Sequence, residues 1–248
     1  EPQVNLLVTG EGSANWDIAL PSEEPEPDIP QEEPSSFAIE LKSVSIDNGR
    51  VLYYDQSLVT YALLEGVDHE LSGDFTLDFT TLKTKTMIEN LTVEYDGIKY
   101  LDHVDAELDA DIDADLANYI FTLKQNELRL NELMIVFDGS VGMQENDDIN
   151  LMLTYSAKRS EFRHFLSMVP AIYARDFENI ETSGQLTLNG NVKGIYNDNN
   201  YPSFALNILV DNGRFKYPDL PQSVEDIDVN AKINFPGGSD FDRLVVEV

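Results

Sequence analysis

The chain has 248 residues, and 46 aspartates and glutamates against 16 lysines and arginines leave it a formal charge of −30. That balance excludes nucleic-acid backbones and anionic membrane surfaces as direct partners, since both demand Lys/Arg patches. It contains no cysteine, so disulfides, thiolate metal sites and Cys nucleophiles are excluded as well.

The length suffices for one large β-domain or two smaller units with a sizeable core. No apolar run approaches the roughly 18 residues of a membrane span. The abrupt opening "EPQVNLLVTG" and the strand-like close "FDRLVVEV" are those expected of a piece of a longer protein, with any anchor outside it.

In chain order, residues 1–20 predict a short strand pair: Val4 to Val8, a turn at Gly10-Glu11-Gly12, then Trp16 to Leu20. Residues 21–36, "PSEEPEPDIPQEEPSS", bury almost nothing and predict an extended, acidic Pro/Glu linker. From 37 to 248 the pattern is that of a repeated-hairpin β-module. Phe37, Ile39 and Leu41 alternate with polar positions, and Val44 and Ile46 run into Asp47-Asn48-Gly49. The same grammar recurs at Asp96-Gly97, Asp138-Gly139, Asn189-Gly190 and Asn212-Gly213. Between alternating apolar runs, Asn-Gly and Asp-Gly signal two-residue hairpins, because a type I′ turn needs positive φ at both central residues. Two of these sites belong to an internal repeat, "IDNGRVLYYD" (46–55) and "VDNGRFKYPD" (210–219). The fold class is therefore mainly β, an elongated antiparallel sheet extended hairpin by hairpin.

The stretch "DAELDADIDADL" (105–116) places carboxylates at every second position. Calcium needs six to eight oxygens gathered by a curling chain, and a straight ladder of aspartates with a spacing of roughly 6.8 Å cannot supply them. Counted from Asp109 as a calcium loop, the position that needs Gly is Ala114 and the one that needs Glu is Ile120. The stretch predicts a strand with an acidic solvent face and an apolar face of Ala106, Leu108, Ala110, Ile112, Ala114 and Leu116. Val229, Ala231 and Ile233 repeat the small/large alternation. Such a face is either one side of a packed core or the floor of a groove.

One segment leaves the period of two. "SEFRHFLSMVPAIY" sets Phe162, Phe165, Leu166, Val169 and Ile172 or Tyr173 at helical spacing, with Ser160 as N-cap, and predicts an amphipathic helix near 160–173. No catalytic motif is present, and His69, His103 and His164 stand far apart with no second ligand at metal spacing. Tyr53, Tyr54, Tyr95, Tyr100 and Tyr217 near the turns suit cross-strand packing or sugar stacking. No cofactor and no metal is expected.

"GEGSANWDI" ahead of an acidic linker resembles the Asn-Trp-Asp turn of AsmA-like proteins. "SVSIDNGRVLYYD", "NELRLNELMIVFDGSV", "EFRHFLSMVPAIYARDFENIETSGQLTLNGNVKGIY" and "YPSFALNILVDNGRFKYPDLPQSVEDIDV" resemble the central region of such proteins from Bacteroidetes-type bacteria. The resemblance spans nearly the whole chain. It implies a curled β-groove, periplasmic and anchored to the inner membrane elsewhere in the chain. It also implies a non-enzymatic role in moving phospholipid between membranes or supporting outer-membrane assembly. The partners would be phospholipid acyl chains, neighbouring repeats or other envelope proteins, and no catalytic residue carries over. The rival expectations are a structural or protein-interaction module with a filled core and a carbohydrate-binding β-domain. An unrecognised hydrolase would need a site signature that the sequence lacks.

Overall fold

The computed structural model describes residues 1–17, 42–75, 77–144, 146, 148–161, 181–197, 199–216 and 221–248. The acidic linker predicted at 21–36, the helical positions from Phe162 to Tyr173 and Tyr217 lie outside these residues. The predicted N-cap, Ser160, is in a strand, paired with Leu186.

Among the described residues twelve strands form one sheet in sequential order: β1 (Gln3–Val8), β2 (Ser43–Asp55), β3 (Thr60–Ser72), β4 (Phe79–Tyr95), β5 (Ile98–Asp115), β6 (Ile120–Leu130), β7 (Leu133–Met143), β8 (Ile149–Glu161), β9 (Glu181–Tyr196), β10 (Ser203–Lys216), β11 (Val224–Phe235) and β12 (Val245–Glu247). All neighbours from β2 onward are antiparallel, as alternating chains joined by short turns must be. β1 departs from the hairpin grammar and lies parallel to β2, Gln3 against Arg50 through Val8 against Asp55. Among the described residues the only helical turn is the 3-10 turn Phe241–Arg243.

Only one of the five predicted Asn-Gly and Asp-Gly hairpins is a hairpin. Asp96 and Gly97, with φ of 49° and 75°, join β4 to β5. The other four pairs lie inside strands. At Asn48 and Asn212 the asparagine takes the left-handed conformation (φ 47° and 51°), whereas Gly49 and Gly213 have no positive φ. Both pairs sit at bulges, where the register slips between Ile46 and Gly49 and between Val210 and Gly213. The repeat survives as a shared bulge. The Asn48 amide donates to Asp68 at 2.8 Å and the Asn212 amide to Asp228 at 3.1 Å, so in each copy an aspartate on the next strand satisfies the donor that the bulge frees.

The bulges decide which way side chains face. Val44 and Ile46 share one parity, and Gly49, Val51 and Tyr53 the other; an extra residue between them keeps both sets on the same side of the sheet. Register slips also occur in the β4–β5, β5–β6, β6–β7 and β8–β9 pairings. Each adds local twist, and together they coil the sheet.

The turn between β2 and β3 carries an ionisable anchor. Asp55 is buried, and its carboxylate accepts hydrogen bonds from the Ser57 hydroxyl (2.6 Å), the Ser57 and Leu58 amides (2.8 and 2.9 Å) and the Tyr53 hydroxyl (2.9 Å). These donors, the Ser57 hydroxyl first, hold its carboxyl below the usual aspartate value. A folded-state pKa lowered in this way gives stability that is present above the unfolded aspartate value and lost as pH falls through the folded one. Between neutral pH and about pH 3 the Tm of the native chain should fall more than that of Asp55→Asn, so the two converge in acid. Parallel melting curves across that range would overturn this.

Candidate functional site

The sheet has two chemically distinct faces, and β5 shows both. On the outer face Asp105, Glu107, Asp109, Asp111, Asp113 and Asp115 alternate along the strand. Register places Lys83 opposite Asp111 and Lys85 opposite Asp109 on β4, and Arg129 opposite Glu107 on β6. Glu107 pairs with Arg129 and with Lys85 (3.7 Å), and Asp113 with Lys124 and the Thr81 hydroxyl (2.9 Å). Hydrogen bonds from Arg129 and Lys124 respectively lower the two carboxyls below their ordinary values. Exposed pairs of this kind are worth little in stability, and they serve to relieve repulsion along a strand of carboxylates. Among the described residues no group of His, Asp or Glu is arranged to hold a metal ion. The acidic stretch is a strand from Asp105 through Asp115.

The opposite face is apolar. Ala106, Ala110 and Ala114 are 8%, 3% and 2% exposed, whereas Leu108 and Ile112 between them are only half-buried. The small residues are thus the covered ones and the large residues the accessible ones. A shallow floor left open above the alanines is therefore not what the structure shows. Leu116 does not belong to this face. It lies in the β5–β6 turn, where its amide donates to the Asp78 carbonyl at 2.7 Å.

The apolar face runs on from strand to strand. Leu108 stands beside Leu128 of β6, which stands beside Ile135 of β7. Ala157 of β8 is beside Leu188 of β9, then Ile208 of β10 and Ala231 of β11. Leu133, Ala157, Leu186, Leu188 and Val210 form the buried cluster, with Ile135, Tyr155, Leu206, Ile208 and Val229 packed against it. Val229, Ala231 and Ile233 are half-buried on the same face, in register with Val210, Ile208 and Leu206. The predicted lining residues of β5 and β11, Leu116 apart, thus occupy one continuous surface. Its two ends are joined by residues of β6 to β10 that are not among the predicted lining residues.

Three features of this face escaped the sequence. Asn126 is buried at the bulge in β6, with its Oδ1 accepting the Asp111 amide at 3.0 Å and its Nδ2 without a partner. Thr84, opposite Ala110 on β4, is also buried with an unpartnered hydroxyl. Tyr155 faces Gly190 across the β8–β9 pair and donates to the Ala205 carbonyl of β10 at 3.2 Å. A Cβ on Gly190 would lie 2.4 Å from that ring and 2.3 Å from that carbonyl, so this glycine makes room for an aromatic side chain instead of turning the chain. Burial pushes the Tyr155 phenol up.

Among the described residues the histidines gather no site. His69 meets the Thr86 hydroxyl at 2.8 Å, exposed His103 meets Asp102 at 2.8 Å, and His164 lies outside the described residues. A recess of about 660 Å³ at the end of β4 and β5 is lined by Leu77, Phe79, Thr81, Asp113, Asp115 and Ile120 among others. It mixes carboxylates already bound to Lys124 and Asn118 with exposed apolar side chains. Compared with known proteins, the chain matches no family model, no curated protein and no solved structure.

Proposed function

We propose that this chain is a non-enzymatic β-module of the AsmA-like kind, whose coiled sheet handles phospholipid in the bacterial periplasm or supports outer-membrane assembly. The observation that carries this reading is the continuous apolar face from β5 to β11, whose large residues Leu108, Ile112, Val229 and Ile233 are half-buried instead of covered. A filled sandwich would cover such residues with a second layer. An acyl chain gains roughly 0.8 kcal/mol for each CH₂ it buries, and it asks for no specific polar partner. The acidic outer face keeps the module soluble and leaves the inner face as the apolar surface available to lipid.

The test is a photoreactive side chain placed at Leu108 or, as the control, at Asp109 on the outer face. After irradiation in cells of a phospholipid-rich envelope, mass spectrometry should find lipid adducts at position 108 and none at 109. Equal labelling at both positions, or none at either, would count against the reading and favour the structural module.

A further inference from the structure

We propose a second lipid contact, distinct from the apolar face and independent of what that face carries. The end of the sheet formed by the β2–β3 tip docks the module onto a neutral, zwitterionic bilayer surface. Three turns meet there. Gln56 in the β2–β3 turn donates its amide to the Val8 carbonyl at 3.0 Å and accepts from the Gly10 amide at 3.2 Å. The Asp96 amide of the β4–β5 turn donates to the Val59 carbonyl at 3.1 Å. The apex of this group is Leu58-Val59, whose side chains are 58% and 55% exposed.

Val59 is the residue that calls for a reason. Its φ is 52°, left-handed, a conformation that Gly or Asn adopts cheaply and a β-branched residue does not. It lies at a solvent-facing tip, so packing within the chain does not account for the side chain. The Asp55-capped turn sets this backbone, as the Asp115-capped turn sets φ 52° at Tyr119, so it is the β-branched side chain kept there that points to what the residue touches.

The surroundings name the chemistry. Trp16, Tyr54, Tyr95 and Tyr100 are exposed around the tip. Trp16 lies 6.5 Å from the ring of Tyr53, and Tyr54 lies 6.4 Å edge-on from Tyr61. Aliphatic side chains at the apex with a collar of Tyr and Trp match the water–bilayer interface, where amphipathic rings sit at headgroup level. The charged groups nearby, Glu94, Asp96, Lys99 and Asp102, are mostly acidic. Lys99 is already paired with Asp102 at 3.1 Å, which leaves no cationic patch for anionic lipid.

The experiment uses phosphatidylcholine vesicles carrying brominated acyl chains, with Trp16, the chain's single tryptophan, as reporter. The native chain should float with the vesicles and lose Trp16 emission, with little dependence on salt. Leu58→Asp should weaken partition at least about tenfold. Val59→Asn should raise Tm by about 2–4 °C by relieving the strained backbone while weakening partition several-fold, a combination that a purely structural role does not produce. Phe79→Asp, at the far end of β4, should leave partition unchanged. Absence of binding to phosphatidylcholine, binding that requires anionic lipid, unaltered partition of Leu58→Asp, or equal loss in Phe79→Asp would each overturn the proposal.

Discussion

Gly139→Ala should be among the most damaging single-methyl substitutions in the chain, costing about 3 kcal/mol or more and leaving little folded protein. Gly139 lies in the interior of β7, paired with Leu123 on one side and Leu153 on the other. Its φ of 140° is outside the range of ordinary extended residues. An added Cβ would lie 1.9 Å from the Met152 carbonyl oxygen and 2.8 Å from the Leu153 Cα, both backbone atoms of the adjacent strand. A side chain can swing away from such a clash, but a hydrogen-bonded strand cannot do so without giving up its ladder. The comparison that isolates the cause is Gly97→Ala. There φ is 75° and nothing lies within 4 Å, so only conformational strain of about 1 kcal/mol is at stake. Urea titrations of the two variants should differ by a factor of two or more in stability lost. Equal losses would mean that the close approach at Gly139 relaxes freely.

The same glycine shows where the sequence was legible and where it was not. Alternation located the strands, because a period of two with one apolar parity is enforced wherever one face is dry. It also placed the acidic and apolar faces of β5 on their proper sides. What alternation could not separate was a hairpin from a bulge. Both appear as Asn-Gly or Asp-Gly at a phase slip in an apolar pattern, because both need a residue that tolerates positive φ. Asn48 and Asn212 supply that φ inside long strands. The longer turns went unread although they share a signature. Asp55 and Asp115 each open a turn by capping amides two or three residues on, and Val59 and Tyr119 close them with φ of 52°. A side-chain acceptor starts these turns without any glycine, which is why a search for Gly passes over them. The parallel pairing of β1 had no local signal. Nor had the burial of Asn126, since its fit depends on a bulge whose partner lies in another strand.

Depth on the apolar face is the other property that alternation could not give, and it sets the last expectation. Ala110→Asp should destabilise the chain by about 3–5 kcal/mol, because the position is 3% exposed and a carboxylate there has no cation to meet on its own face. Lys83 and Lys85 of β4 lie opposite Asp111 and Asp109, on the other side of the sheet. The same-face neighbour across β4 is Thr84, whose hydroxyl lacks a partner, and Asn126, whose Nδ2 lacks one, is close by through the bond of its Oδ1 to the Asp111 amide. Those two groups can donate hydrogen bonds to a small polar side chain, so Ala110→Ser should cost far less than the charged variant. Ile112→Asp puts the charge two residues along, between Leu82 and Leu123, where the native side chain is only half-buried. There the carboxylate can tilt toward water, and the loss should be roughly 1–2 kcal/mol, within reach of a folded protein. If the face holds acyl chains, Ile112→Asp should fold and yet come through purification with clearly less bound phospholipid than the native chain. Urea denaturation and lipid mass spectrometry on the same preparations separate the outcomes. Native stability in Ala110→Asp would show that the alanine floor opens to water, and undiminished lipid in folded Ile112→Asp would remove the apolar face from any part in carrying it.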